Sequence, residues 1–408
     1  MTFKRARYAC IIGPAAAAIA LLTMAGMSQV QPQFGDPLRG LTHDQQARFR
    51  IGKANFEQDE TVPDGLGPVF NDTACVKCHN QAATGGGSDR LETRYGQVIN
   101  GVFNPLTQFD GTLVHAKGIG TFPTLVPSAV GPVGTLVDFV GEVVPPEANV
   151  VTGRRVNPLF GLGLVDAVPD QILKNLAQFE QDFTPATAGR FNVVTDVASG
   201  QPVVGRFGWK CQIGTVLTFA ANAYQNEMGI TTPFFPNENP PQGDVALLAA
   251  NPALTNPNDT NLTPMQFADF ITFLAPPPQL PLSRNAQFGQ VLFEGIGCAA
   301  CHFPAMQTGP NAVAALDQVD FFPFSDFLLH DMGSLNDGIS QSGATGQEMR
   351  TAPLWGARIR TSFLHDGRAK TLPDAILAHD GQGLAARNLF ANLSARERAQ
   401  LVEFINSL

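Results

Sequence analysis

Two short runs constrain this 408-residue chain more than anything else in it: Cys75-Val-Lys-Cys78-His79 and Cys298-Ala-Ala-Cys301-His302. Both read C-x-x-C-H. In that spacing two thiols add to the vinyl groups of one haem, and the adjacent imidazole lies under the iron as proximal ligand. Composition alone would supply roughly 0.0015 such runs by chance, so two are not accidental. Paired Cys-x-x-Cys also suits a thiolate zinc site or a redox-active pair, but neither asks for a His directly after each second Cys. Of the other two cysteines, Cys10 falls in the N-terminal leader, and Cys211 reads as a small buried apolar residue with no thiol left to pair with.

The leader supplies the compartment. Lys4, Arg5 and Arg7 precede an apolar stretch from Ala9 to Met27, and Ala25, Gly26 and Ser28 offer a cleavage site. This is the pattern of a secretory signal peptide over residues 1–28, with an uncleaved membrane tether as the alternative. Arg7 and Tyr8 just before it argue against a lipid-modified Cys10. The expected location is the periplasm. The whole chain carries a net charge of −9, which argues against a nucleic-acid surface. Its 31 Pro and 40 Gly require much loop and turn. With 30 Phe against 3 Tyr and 2 Trp, the interior suits a flat apolar cofactor.

Each C-x-x-C-H run follows a similar helix signal. Phe49, Gly52 and Phe56 precede the first, and Phe288, Gly289 and Phe293 precede the second. Gly followed four residues later by Phe stacks a small and a large residue on one helix face, so a second helix can cross closely. Each half then ends in a closing helix. One is capped by Thr263 with Pro264 at its first position and has Phe267, Phe270, Ile271 and Leu274 as its stripe; the other starts at a Ser394/Glu397 capping box. The proline run Ala275-Pro-Pro-Pro278 separates them. The expected organisation is therefore mainly α. Two cytochrome c-like haem domains span 40–275 and 283–408, the first carrying a strand-and-loop insertion over 97–160. Residues 230–262 read as coil.

Several longer stretches carry a family resemblance. They are Gly65-Leu-Gly-Pro-Val-Phe-Asn71, Asn157-Pro-Leu-Phe-Gly-Leu-Gly-Leu-Val-Asp166 and Gly205-Arg-Phe-Gly-Trp-Lys210. After them come Asn226-Glu-Met-Gly-Ile-Thr231, Ser325-Asp-Phe-Leu-Leu-His-Asp-Met-Gly333, and Arg350-Thr-Ala-Pro-Leu-Trp355 running on to Phe363-Leu-His-Asp-Gly-Arg-Ala369. In these, residues 40–408 resemble the di-haem oxidoreductases related to bacterial di-haem cytochrome c peroxidases. The resemblance implies an axial ligand for the C-terminal haem fourteen residues after His365, which is His379 here and commonly Met in the relatives. Met332 is the runner-up, and Met228 follows. It implies a peroxidatic N-terminal haem with a carboxylate over its open face, at the position of Glu227. It also implies an aromatic residue between the haems, matched by Trp209, with Trp355 as competitor. The relatives precede the Glu with a Gln and a Pro, where this chain has Leu217 and Ala221. His115, Tyr95 or Met228 are alternatives for closing the sixth position of the N-terminal haem.

The expectation is thus an exported oxidoreductase with two covalently bound haem c groups. It would reduce hydrogen peroxide at the His79 haem with electrons relayed through the His302 haem. The acidic surface suits a small basic donor, a c-type cytochrome or a cupredoxin. A Ca²⁺ ion and a homodimer are implied by the relatives alone. An oxidase acting on an organic or protein substrate, and a non-catalytic electron carrier or redox sensor, are the competing readings.

Overall fold

The structure is a computed structural model that describes residues 31–250, 258–260 and 262–408. The leader over 1–28, with Cys10, lies outside these residues. Ten α-helices are found among them: α1 (His43–Glu57), α2 (Leu162–Asp166), α3 (Asp170–Phe183), α4 (Val216–Met228), α5 (Val245–Ala249), α6 (Thr263–Phe273), α7 (Arg284–Gly295), α8 (Leu372–Leu377), α9 (Leu384–Ala391) and α10 (Ala395–Ser407).

Two helix crossings organise the chain. Helix α1 packs on α6, and α7 packs on α10. In α1 the buried face is Phe49, Gly52 and Phe56; in α7 it is Ala286, Gly289 and Phe293. A Cβ on Gly52 would overlap the carbonyl oxygen of Gln266 in α6, and a Cβ on Gly289 would overlap that of Gln400 in α10. Glycine is therefore required at both crossings, because only a missing side chain lets the two backbones touch. The Phe one turn on fills the space beside each contact. Phe56 lies 5.0 Å from Phe270 of α6, and Phe293 lies 5.4 Å from Phe404 of α10, ring centre to ring centre.

The helix starts follow local chemistry. Thr42 and Gln45 form a capping box on α1, and Ser394 and Glu397 form one on α10. On α6 the cap is one residue earlier than expected: Leu262 is the N-cap, and the Asp259 carboxylate accepts from Thr263 N at 2.9 Å. The stretch expected as coil contains α5, whose first amides are held by the Asp244 side chain.

The expectation of a mainly α chain needs amending. About 35% of the structure is helical and 16% is strand. The strands form one three-stranded and five two-stranded antiparallel sheets among the described residues. The largest pairs Leu91–Ile99 with both Val102–Asn104 and Val150–Arg155. Others lie well outside the 97–160 segment, such as Asn192–Thr195 on Pro202–Gly205 and Leu329–Asp331 on Glu348–Arg350. The glycine- and proline-rich connections satisfy their backbone groups by folding back as short hairpins. The main apolar core contains Phe49, Phe160, Leu173 and Phe267 together with Phe321, Phe327 and Trp355 from beyond the proline run. A second cluster gathers Phe293, Phe324, Phe390, Leu401 and Phe404.

Gly289→Val is expected to lower stability by about 1–3 kcal/mol or more through overpacking at the α7/α10 contact. Gly295→Ala, at a position with open space around it, is expected to be neutral or slightly stabilising. Thermal unfolding of the two variants beside the parent checks the pair; equal midpoints would show that the crossing is not tight.

Candidate functional site

The second C-x-x-C-H run follows closely on its glycine-bearing helix, and the first follows a longer connection that includes the strand Val69–Phe70. Each run places its imidazole against the phenylalanine of its helix: Phe56 is 5.9 Å from His79, and Phe293 is 6.4 Å from His302. His79 Nδ1 donates to Gly86 O at 3.1 Å, and His302 Nδ1 donates to Phe324 O at 3.0 Å. A carbonyl can only accept, so the proton sits on Nδ1 and Nε2 is left as the ligand atom. Burial pushes His79 down to about 4. Burial and the neighbouring His379 push His302 to a similar value. Both rings are therefore neutral at pH 7, the form that binds metal. The four cysteines of the two runs are intermediate in exposure, and none pairs in a disulfide among the described residues.

The second run has a partner imidazole. His379 lies just past the end of α8, which Thr371 caps, and its Nδ1 donates to Ala375 O at 2.8 Å. Its ring centre is 6.5 Å from that of His302. Two imidazoles binding one metal from opposite sides, each nitrogen about 2 Å from it, put their ring centres roughly 6–6.5 Å apart. The residues present therefore fit a haem iron held between His302 and His379.

Near the first run the chemistry differs. Glu227, in the last turn of α4, accepts from Asn71 Nδ2 at 2.9 Å. Its backbone carbonyl accepts from Asn71 N at 2.7 Å and Asp72 N at 3.2 Å, and so fixes the loop that leads into Cys75. Burial, then repulsion from Glu92, pushes its carboxyl up to about 7. The Glu227 carboxylate is close enough to Cys75 and Cys78 to act electrostatically on both sulfurs. Glu92 is itself held below the usual range. Its burial is outweighed by Arg94, whose Nε donates to it at 2.6 Å. Glu92 and Arg94 stand two apart on one strand and so share a face. The two glutamates thus form a pair with unequal proton affinity, the proton resting on Glu227.

Other candidates are committed elsewhere. His115 Nδ1 donates to Glu142 Oε2 at 2.7 Å, and its Nε2 faces Asn239 Nδ2 at 3.3 Å, so both nitrogens are engaged. The Tyr95 hydroxyl donates to Phe109 O at 2.9 Å. Met228 is buried in the main core. Trp209 donates from Nε1 to Arg155 O at 2.8 Å, with its ring 6.3 Å from His365. Trp355 is buried 6.1 Å from Phe321, with its ring against Gly161. Cys211 donates to Phe327 O at 3.2 Å, and burial pushes its thiol up to about 12, so it is unreactive at neutral pH.

The two His-Asp doublets differ: His365 Nε2 lies 4.0 Å from its neighbour Asp366, whereas His330 turns away from Asp331. His330 Nε2 meets Asp326, four residues earlier, at 2.9 Å rather than Asp331. Its Nδ1 lies 3.6 Å from Cys301 Sγ. Among the described residues Cys301, Asp326 and His330 come close enough to share a metal, but sulfur and imidazole do not suit calcium. Glu92, Asn71 and Asp326 were not singled out by the sequence. Only the two-residue spacing of Glu92 and Arg94 on a strand carried a signal.

The sequence profile described as "Di-haem oxidoreductase, putative peroxidase" matches residues 146–408, which include the second C-x-x-C-H run and begin after the first. No curated protein matches the chain. Among solved structures, the diheme peroxidase BthA from Burkholderia thailandensis E264 is 13% identical, with 89% of this chain and 86% of that one covered, at a TM-score of 0.40. A MauG-like protein associated with microbial copper homeostasis is 15% identical over 93% and 94%, at 0.39. Kuenenia stuttgartiensis hydrazine synthase is 13% identical over 94% and 98%, at 0.35. Likeness at these scores carries no argument of its own.

Glu227 ionises near 4.5 when exposed and at about 7 in the fold, so the folded chain holds the extra proton between those values. Its contribution to stability falls as pH rises through that window and stays lost above it. Relative to the parent, Glu227→Gln should therefore gain stability from pH 4.5 to 7 and run parallel on either side. Urea midpoints at pH 4, 5.5 and 7.5 test this; a constant difference at all three would contradict it.

Proposed function

Because this chain belongs to the di-haem oxidoreductase family and so works as an oxidoreductase with two haem cofactors, we propose that it reduces hydrogen peroxide in the periplasm. Export rests on the leader, and thioether attachment of both haems rests on the two C-x-x-C-H runs. No helix among the described residues is long and apolar enough to cross a membrane.

The observation that carries the reading is the Glu227–Glu92 pair beside the first run. When bound, haem supplies iron redox chemistry and a coordination position for the substrate. The chain must then move protons. Reduction of hydrogen peroxide to two waters takes two electrons and two protons. A carboxyl poised near neutral pH can take the proton from the near oxygen and return one to the departing oxygen. Asn71 holds the Glu227 carboxyl in place, and Arg94 keeps Glu92 ionised, so that Glu227 is the member that changes state. Electrons enter on the His302/His379 side from a small basic donor, with Trp209 at the seam between the halves as a relay candidate. The acidic chain gives that encounter a salt-sensitive rate.

Glu227→Gln is expected to lower kcat/KM for peroxide by about 10²- to 10⁴-fold with both haems still loaded. The parent rate should rise with pH through about 7, since the base form is needed. Glu92→Gln removes the like charge and should move that limb to lower pH. Full activity in Glu227→Gln would remove the proton-transfer role. Activity on an organic or protein substrate without peroxide turnover by a reduced cytochrome would favour the oxidase reading. His379→Met should raise the midpoint potential of one haem, because a thioether favours the ferrous state. Spectroelectrochemistry checks this, and an unchanged potential would mean His379 is not a ligand.

A further inference from the structure

The seam between the halves holds a group of guanidinium side chains with too little negative charge around them. Arg155, at the end of the strand Val150–Arg155, is buried at 6% exposure. Its Nη2 meets Asp89 at 3.0 Å and its Nη1 donates to Ser362 O, but its Nε is sealed from solvent and makes no hydrogen bond among the described residues. Arg360, from the other half, donates from Nη2 to Pro353 O at 2.9 Å, and its Nε is likewise sealed and unpaired. Among the described residues no carboxylate pairs with Arg360. Burial, and repulsion from Arg155 and Arg350, push it down to about 10. Arg350 is buried too and donates to the carbonyls of Gly208 and Thr351.

Buried charge without a counter-charge is costly, and here the charges also repel one another. Arg155 and Arg360 line one narrow cleft, together with Gln81 and Gly87 from the loop after the first C-x-x-C-H run, and with Phe160 and Trp355. The two free Nε–H donors belong to opposite halves of the chain. A planar guanidinium binds a carboxylate better than it binds any neutral acceptor.

We propose that Arg155 and Arg360 form a carboxylate-binding clamp at the seam that receives the propionate groups of bound haem. This rests on the family's haem cofactors. The clamp would keep those carboxylates ionised and tie the cofactor to both halves at once. Gln81, whose Nε2 donates to Thr361 Oγ1 at 3.0 Å, joins the same two sides.

The test uses the haem-loaded full chain, with haem content measured first. A parent protein without haem would overturn the cofactor reading itself, before the clamp is examined. Arg360→Gln and Arg155→Gln are then compared with Arg360→Lys by resonance Raman spectroscopy and spectroelectrochemistry between pH 5.5 and 9. Loss of a cation beside the propionates favours the ferric state. The Gln variants should therefore show a lower midpoint potential for at least one haem, a new pH dependence of it, and shifted propionate bending bands. Arg360→Lys keeps the charge and should restore most of the potential while the bands stay shifted. If a Gln variant does not load haem while Arg360→Lys does, that loss also supports the clamp. Unchanged potentials and propionate bands in fully loaded Gln variants would overturn it.

Discussion

Everything in the two halves hangs on a pair of backbone contacts. At Gly52 and at Gly289 a helix meets the carbonyl of its closing helix with no side chain between them. That contact sets how far Phe56 and Phe293 reach. These rings in turn set where His79 and His302 lie, because each packs against its imidazole. The Nδ1 donation to a backbone carbonyl then fixes which nitrogen is presented. A sequence feature of two residues is in this way transmitted to the orientation of an imidazole, twice in one chain.

The halves diverge in what surrounds that shared frame. Past α8, His379 stands opposite His302 at a distance that suits a shared iron. Near His79 the structure places a carboxyl pair, an arginine and an asparagine. His115, the imidazole expected as an alternative for closing that side, is held by Glu142 and Asn239. The seam carries buried charge beside its apolar packing. Arg154 and Lys210 both reach Asp337, at 2.7 Å and 2.8 Å, with all three side chains almost fully buried. Ion pairs of this kind add little net stability but are costly to break, so they specify one arrangement of the halves more than they strengthen it.

Much of this was legible in the sequence. The C-x-x-C-H runs, the Gly/Phe repeat and the capping boxes are local patterns whose chemistry is decided within five or so residues. What could not be read was set by tertiary approach. Glu92 meets Glu227 across 135 positions because a strand and a helix end converge. His330 takes Asp326 rather than the adjacent Asp331 because strand geometry points neighbours to opposite faces. The small sheets escaped because short hairpins of mixed composition leave little periodicity to detect. The roles of Glu227 and Trp209 came from resemblance; the structure adds the partners that give those residues chemistry to argue from.

The central claim is that the two irons differ, one closed by His302 and His379 and one open beside Glu227. Ferric EPR of the fully haem-loaded chain, before and after half-reduction, tests it most directly. The account predicts a low-spin bis-imidazole signal together with a high-spin signal, in at least one of the two states, from an iron that also binds an added ligand. Two low-spin haems in both states, with no added ligand binding, would contradict it and leave a chain that carries electrons without catalysis.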